Sequence, residues 1–166
     1  MRIRNIQDKD FLRISTNLNT WWGGRDMIDM LPRLFILHFK DTSYIIEDNE
    51  ETIGFVIGFV SPSNPKQAYI HFVGVNPKAR LKNIGRTLYE HFFRAVKEKG
   101  CTEVGCVTSP VNATSINFHT KMGFTMKDGD MVIDGIPIHQ NYDGIGQDRV
   151  IFVKSLEARS DTHLKN

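Results

Sequence analysis

The sequence predicts a mixed α/β fold in which helices pack on one central sheet. Two strand-like segments follow each other at residues 43–47 and 52–61, separated by the polar turn 48–51. From residue 83 the apolar spacing changes from strand-like to helical, and strands and helices alternate thereafter. The predicted element order is β-α-α-β-β-β-α-β-α-β-β, which is typical of a mixed sheet with helices packed on it.

The N-terminal part is predicted to contain a short strand and two helices. Asp8 or Asp10 can cap a first helix that runs to about residue 19. A second helix is predicted over residues 27–39, and Pro32 must then lie in its first turn or kink it.

The middle of the chain combines a buried strand with a long amphipathic helix. Residues 68–75 are rich in aromatic and β-branched side chains, which favours a central strand. Over residues 83–99 the apolar side chains recur at helical spacing, and Gly100 supplies a stop. The side chains predicted to face the core are Ile84, Leu88, Phe92 and Val96.

The C-terminal part is predicted to continue the sheet. Residues 103–108 form a strand, residues 113–122 a short helix, and residues 149–154 the last strand, while another strand begins at Phe124. The segment 128–147 is rich in Gly and Asp and is expected to be a long loop or hairpin.

Composition limits the classes of function. The 166 residues carry a net charge of +2, which gives no reason to expect a nucleic-acid partner. The longest apolar run, 53–60, is far shorter than the ~20 residues of a membrane helix, so no membrane partner is expected. Two cysteines cannot form a disulfide framework or a four-ligand zinc site, so we expect no metal and a reduced, cytoplasmic setting. We expect one domain over residues 1–156 and a disordered tail over 157–166.

A polar, basic loop separates the strand at 68–75 from the long helix. The N-terminus of a helix offers unpaired N–H groups and a partial positive charge, which suit an anion. Asn83 and Gly85 tolerate unusual backbone angles or a close approach to a ligand. The alternative is an ordinary strand-to-helix loop with solvated basic residues. The cations of this loop are Lys78, Arg80, Lys82 and Arg86.

This loop resembles the acetyl-CoA pyrophosphate loop of GNAT acetyltransferases. The family motif is Gln/Arg-x-x-Gly-x-Gly/Ala after Val-x-Pro, and Arg80-x-x-Asn83-x-Gly85 after Val75-Asn76-Pro77 resembles it. Asn83 replaces the middle glycine, a mild departure because Asn accepts a left-handed backbone better than other side chains do. The resemblance implies acetyl-CoA as cosubstrate, bound by Val73, Gly74, Val75, Arg80, Leu81, Lys82, Asn83, Ile84, Gly85, Arg86, Thr87, Asn112 and Ser115.

A second segment resembles the other signature of the same family, Asn-x-x-Ala-x-x-Phe/Leu-Tyr-x-x-x-Gly-Phe. Asn112, Ser115, Phe118 and His119 fall in register with it, followed by Gly123-Phe124. The resemblance implies a GNAT-like fold with a central, mostly antiparallel sheet of about six or seven strands, a splayed parallel pair and about four flanking helices. Asn112 can serve as an N-cap, as a ligand of the CoA arm, or as both.

His119 stands where the family has a tyrosine that protonates the departing CoA thiolate. A histidine can donate that proton only as imidazolium, and its reference pKa of ~6.5 makes it partly charged at neutral pH. The resemblance therefore implies His119 as a catalytic acid. The alternative is a half-buried helix histidine without a chemical role.

A base is also expected, because an ammonium has no lone pair for attack. Strand alternation places Tyr69, His71, Val73 and Val75 on one face, and family members carry the base on this strand. His71 is the best-placed titratable group, unless it is a core histidine with satisfied nitrogens. Tyr69 is better suited to orienting substrate or water, because its pKa is ~10.

The acceptor pocket of the family commonly uses the loop between the first two helices. Here that loop carries Trp21 and Trp22 before two glycines, and adjacent indoles can enclose an organic substrate. The alternative is that one of them only packs into the core.

The resemblance implies an N-acetyltransferase that moves an acetyl group from acetyl-CoA to a primary amine by direct attack in a ternary complex. The acceptor stays open between a small molecule and a protein, and family analogy suggests a homodimer. The competing interpretation is a degenerate acyl-CoA sensor without turnover, which the departures at Asn83 and His119 motivate.

Overall fold

The computed structural model describes residues 1–157, without the side chains of Leu81 and Lys82. The strands are β1 (Arg2–Asn5), β2 (Tyr44–Asp48), β3 (Glu51–Val60), β4 (Gln67–Val75), β5 (Glu103–Thr108), β6 (Thr125–Met126), β7 (Met131–Ile133), β8 (Ile136–Ile138) and β9 (Val150–Ser155). The helices are α1 (Asp10–Trp21), α2 (Arg33–His38), α3 (Ile84–Glu98) and α4 (Ala113–Lys121), with 3-10 turns at Ile28–Met30, Lys40–Thr42 and Pro77–Lys82. The tail expected to be disordered lies, beyond Glu157, outside the described residues.

One sheet of seven strands organises the described chain. Its order is β1-β2-β3-β4-β5-β9-β6, and β7 and β8 form a separate hairpin. Only β4 and β5 are parallel neighbours, and they pair over three positions, Gln67–Tyr69 against Glu103–Gly105, before they diverge. The predicted mixed sheet with a splayed parallel pair and four helices is therefore confirmed.

The two faces of this sheet carry separate hydrophobic cores. The four apolar side chains predicted for α3 are all buried in the core on its face, where they pack against β2 and β3. The opposite core joins α1 and α2 to the sheet through Ile14, Leu18, Ile36, Phe55 and Phe72. The helical periodicity of α3 thus identified its buried side correctly.

The predicted second helix, 27–39, is wrong in its extent. Pro32 has an extended backbone, with φ −54° and ψ 143°, and stands at the N-cap of a six-residue helix. The preceding residues form only a 3-10 turn. Proline lacks the N–H that a continuous helix would need at this position, so the segment is divided there.

The predicted cap of α1 is also wrong. The N-cap residue is Lys9, and no side chain caps the helix. Asp10 instead accepts two hydrogen bonds from the Arg4 guanidinium, at 2.7 and 2.9 Å, and one from the Gln7 N–H at 2.8 Å. This carboxylate thus ties the first strand to the first helix.

A β-bulge interrupts β4 at His71. Ile57 of β3 lies opposite Phe72, but the next residue, Gly58, lies opposite Ile70. His71 is therefore the extra residue of the bulged strand. Such a residue disrupts the ladder locally and changes which face the following side chains take.

The bulge overturns the prediction that four side chains of β4 share one face. Val73 and Val75 pack against the core on the α3 side. His71 stacks on Phe35 of α2, with ring centroids 4.0 Å apart, and so lies on the opposite face. Tyr69 stands two residues before His71 and takes the α2 face with it, because both of its neighbours in the strand belong to the α3-side core.

Within residues 1–157, no helix combines the length and the hydrophobicity needed to cross a membrane.

Candidate functional site

A cleft of about 770 Å³ opens where β4 ends and α3 begins, and α4 forms its other wall. Its lining includes most of the residues predicted from the two motifs and the tryptophan loop: Trp21, Trp22, Val73, Val75, Arg80, Asn83, Gly85, Arg86, Asn112, Ser115 and His119. Of the other residues predicted from these segments, the side chains of Leu81 and Lys82 lie outside the described part of the chain, and three residues are placed differently. Ile84 is fully buried in the core, the Thr87 hydroxyl bonds the Asn83 carbonyl, and Gly74 packs against Phe55.

The loop before α3 has the backbone geometry of an anion site. Asn76 accepts a hydrogen bond from the Lys78 N–H at 3.0 Å, which starts the 3-10 turn. Asn83 ends that turn with φ 56° and ψ 23°, a left-handed backbone that Asn tolerates. Its side chain makes no capping bond, and among the described side chains no other acceptor is bonded to the first N–H groups of α3. Those groups can therefore bind an anion.

Charge and space at this helix end also suit a phosphate. Arg80 and Arg86 both line the cleft, together with Arg25 and Lys121. A Cβ added at Gly85 would lie 3.4 Å from the Phe118 ring, so the glycine keeps the cleft wall open beside α3. The cleft thus offers cations, free N–H groups and room at one place.

Arg80 also connects the phosphate loop to the tryptophan loop. Its Nη2 donates to the Trp21 carbonyl oxygen at 2.9 Å. Trp21 is itself buried and stacks on Phe55, while Trp22 packs on Phe72 with ring centroids 5.0 Å apart. Both indoles therefore have packing roles, although both also border the cleft. Their part in an acceptor pocket stays a prediction.

Asn112 fills the capping role that the sequence allowed. Its Oδ1 accepts from the Ser115 N–H at 3.1 Å and starts α4. It also lines the cleft, so the cap leaves a cosubstrate contact open.

His119 is buried and both of its ring nitrogens have partners. Nδ1 lies 2.7 Å from the Ser115 carbonyl oxygen, which can only accept, so Nδ1 carries the proton. Nε2 lies 2.9 Å from the Tyr89 hydroxyl and accepts its proton. Burial lowers the pKa of His119, and the bond to Ser115 opposes that shift only in part. The imidazole is therefore neutral near pH 7, and neither nitrogen points unbonded into the cleft.

Tyr89 is a site residue that the sequence reasoning missed. It lies on the buried face of α3, with a hydroxyl that needs a partner inside the protein. The helical pattern marked its neighbour Leu88 as core but did not say which residue its hydroxyl meets. That partner, His119, lies 30 positions away.

His71 does not line the cleft. Its Nε2 donates to the Met30 carbonyl oxygen at 2.6 Å, which holds the tryptophan loop segment against the bulge of β4. Burial lowers the pKa of His71, and the bond to Met30 opposes the shift. The ring is therefore neutral, with Nδ1 free to accept a proton, and the base role stays a prediction.

Tyr69 lies outside the cleft, in a second cavity of about 330 Å³. Burial raises the pKa of its hydroxyl, so the side chain remains a neutral phenol. It can donate a hydrogen bond to a substrate or a water molecule, which is the role predicted for it, but it lies on the face of the sheet opposite the cleft.

Comparisons with known proteins agree with this architecture. The chain matches the acetyltransferase (GNAT) family over residues 3–124. An L-2,4-diaminobutyric acid acetyltransferase of Nocardia farcinica is 30% identical over 83 residues, which are 50% of this chain and 43% of that protein. The match thus spans less than half of that relative.

Solved structures share the fold at low sequence identity. Ard1 from Thermoplasma volcanium has a TM-score of 0.74 at 16% identity, and the likeness covers 95% of this chain and 98% of that one. An aminoglycoside 6'-N-acetyltransferase complexed with coenzyme A has a TM-score of 0.69 at 14% identity, covering 97% and 100%. Because the family match covers most of the chain, this protein belongs to the GNAT acetyltransferase family.

Proposed function

We propose that this protein transfers an acetyl group from acetyl-CoA to a primary amine by direct attack in a ternary complex. The observation that carries the proposal is the cleft, which extends from the basic N-terminal end of α3 to Val73 and Val75, the part of β4 that has diverged from β5. One end suits a pyrophosphate and the other can admit an extended arm with a thioester.

The CoA phosphates would lie on the N–H groups between Leu81 and Arg86, next to the Arg80 and Arg86 guanidinium groups. Among the strands of residues 1–157, none pairs with β4 on its β5 side beyond Tyr69. Its backbone groups near Val73 can therefore hydrogen-bond the pantetheine arm. This assignment is supported by the residues that border the cleft and by the left-handed backbone of Asn83.

The reaction needs one proton removed and one delivered. The attacking amine loses a proton, its nitrogen bonds the thioester carbonyl carbon, and the carbon–sulfur bond breaks. His71 Nδ1 is the candidate acceptor of the amine proton, either directly or through water. His119 is the candidate donor to the thiolate sulfur, and this role requires that the ring first gains a proton to become imidazolium and that its bond to Ser115 or to Tyr89 opens in the complex.

The geometry of His119 also favours a second function, a CoA-binding sensor without turnover. A neutral, buried imidazole with two internal partners stabilises the contact between α3 and α4 and needs no chemical role. The same cleft would then bind acyl-CoA and report it to a partner. Asn83 has the required left-handed backbone, so it no longer argues for degeneracy.

The acceptor is proposed to be a small amine. Two curated relatives are named L-2,4-diaminobutyric acid acetyltransferases, and both matches cover only part of each protein. Those names make amino-acid acceptors a first choice for testing.

Thiol release from acetyl-CoA in the presence of an amine panel tests the proposal. We expect saturable release with at least one amine and N-acetylated product by mass spectrometry. If acetyl-CoA binds saturably in calorimetry and no amine releases thiol, the transferase is rejected and the sensor stands.

A further inference from the structure

The second cavity lies on the α2 face of the sheet, beside the point where β4 and β5 diverge. It is lined by Tyr69 from β4 and by alternate side chains of β5 and β9, Gly105, Val107, Ile151 and Val153. Cys106 and Phe152, which stand between these residues, also border the cavity, but both are buried in the core on the other face. The cavity therefore opens on the side of the sheet opposite α3 and α4.

The two cavities flank the same gap. The larger cleft contains Val73 and Val75, whose side chains face α3. The smaller cavity borders the paired ends of β4 and β5, from Gln67 and Glu103 to Tyr69 and Gly105, and continues along β5 to Val107, past the last paired position. A thioester that enters the gap from the cleft can thus be approached from the smaller cavity.

The charged side chains around this cavity differ in whether they have hydrogen-bond or salt-bridge partners. Glu103 accepts a hydrogen bond from Gln67 Nε2 at 2.9 Å. Near the Tyr142 rim, Asp143 pairs with Arg149 at 2.7 Å. Lys127 also lines the cavity and, among residues 1–157, has no salt-bridge partner.

Strand register places Lys127 and Glu103 at different ends of the cavity. The Lys127 N–H bonds the Ile151 carbonyl, and Ile151 lies opposite Val107 in β5. Glu103 is four residues earlier in the same strand, about 13 Å along it. Lys127 therefore lies on the side where the strands diverge, and Glu103, hydrogen-bonded to Gln67, lies at the closed side.

We propose that this cavity is the acceptor subsite and that it takes an amine that also carries a carboxylate, with the Lys127 ammonium binding that carboxylate. The inference rests on the proposed acetyl transfer and specifies its acceptor. The carbon chain of such an acceptor would lie against Tyr69 and Phe59, whose ring centroids are 5.7 Å apart. Its amine would point to the gap.

A polycationic acceptor is disfavoured by the same charges. Arg149 neutralises Asp143, Lys127 would repel a cation, and Glu103, whose hydrogen bond to the neutral Gln67 leaves its charge in place, lies about 13 Å from the open side. The volume of about 330 Å³ also matches a molecule of amino-acid size better than an oligosaccharide.

The test compares acceptors that differ only in the carboxylate. We would measure kcat/KM for thiol release with lysine against cadaverine and with ornithine against putrescine. Lys127→Gln should lower the value for the two amino acids about fivefold, the usual worth of one partly exposed charge pair. Values for the two diamines should stay within error or rise, and Lys127→Glu should enlarge the difference.

Lys97→Gln is the matched control, because Lys97 is exposed in the last turn of α3 and borders neither cavity. It should leave kcat/KM unchanged for every acceptor. Equal losses for amino acids and diamines in Lys127→Gln, or no loss at all, would overturn the inference while leaving acetyl transfer intact.

Calorimetry keeps the two proposals separable if nothing is turned over. With CoA present, lysine should bind the wild-type protein and bind Lys127→Gln more weakly, while cadaverine should not distinguish them. That result without turnover would support the subsite and reject the transferase. Identical lysine binding by both proteins, or none, would reject the subsite.

Discussion

Replacing Gly85 by Asp tests the pyrophosphate site by charge rather than by bulk. The atoms nearest to a Cβ at Gly85 are in the Phe118 ring, at 3.4 Å, and a Val75 methyl group, at 3.8 Å, which are ordinary contact distances, so a Cβ fits in the unliganded cleft. Asp in the first turn of a helix is favourable by about 0.3–1 kcal/mol, because it complements the helix dipole. The variant should therefore fold at least as stably as the wild type.

The same carboxylate would repel the CoA phosphates. Two unit charges about 5 Å apart interact by ~3 kcal/mol at an effective dielectric constant of 20. We therefore expect Gly85→Asp to weaken acetyl-CoA binding by roughly a hundredfold. Arg80 and Arg86 border the same cleft and reduce the effect, so the estimate is an upper value.

Gly85→Asn is the matched control, because it adds nearly the same volume without the charge. Calorimetry of acetyl-CoA binding to the three proteins separates the two contributions. The difference in acetyl-CoA affinity between the Asp and Asn variants should also decrease as ionic strength rises, since salt screens charges near a surface. Equal affinities for Asp and Asn in folded proteins would show that no phosphate lies beside α3, and the site assignment would fail.

Three further predictions follow from buried contacts of the same structure. Trp22→Ala tests whether the acceptor also reaches the cleft side of the gap, where Trp22 lies: it should raise the KM of the amine more than the KM of acetyl-CoA, and equal effects on the two KM values would remove Trp22 from the acceptor site. Trp21→Ala should lower the free energy of unfolding by about 3–5 kcal/mol, because Trp21 is core. His119→Phe should lower kcat with little effect on acetyl-CoA binding. If the imidazolium is the acid, the activity of the wild-type enzyme should fall as pH rises through the pKa of His119, which burial lowers below 6.5. Full kcat in the variant across the pH range would exclude the acid role. Asp10→Asn should cost about 3 kcal/mol in unfolding free energy near neutral pH, as when a buried pair loses one partner. Burial is the largest influence and alone would raise the pKa of Asp10, but the hydrogen bonds from Arg4 and Gln7 and the charges of Arg4 and Arg13 together outweigh it, so the net pKa is lowered. The contribution is therefore present above the unfolded pKa and is lost as pH falls through the lower folded pKa, so a destabilisation that persisted undiminished at the most acid pH would contradict this origin.

Most elements could be predicted because each depends on its own residues. The apolar spacing of α3 and the strand character of β4 are properties of windows of about ten residues. The left-handed backbone at Asn83 is likewise a local preference of that side chain. The division of the second helix at Pro32 could also be predicted from the sequence, because proline lacks an N–H and commonly starts or ends a helix.

The face of the sheet on which each site residue lies could not be predicted in this way. Alternation along β4 predicts one face for His71 and Val73, but the bulge reverses it. The bulge exists because β4 pairs with β3 in two registers on either side of His71, and pairing partners are distant in sequence. A simple period of two cannot reveal such an insertion.

By itself, the sequence determined the mixed α/β class, the order of the main elements and the basic loop at the start of α3, since periodicity and backbone preference act over neighbouring residues. Only the tertiary structure decided that His119 meets Tyr89 and that Lys127 reaches the cavity beside Tyr69. These contacts join elements far apart along the chain, and they arise from strand register and helix packing. Register and packing are set by the whole core at once, so no single segment contains them.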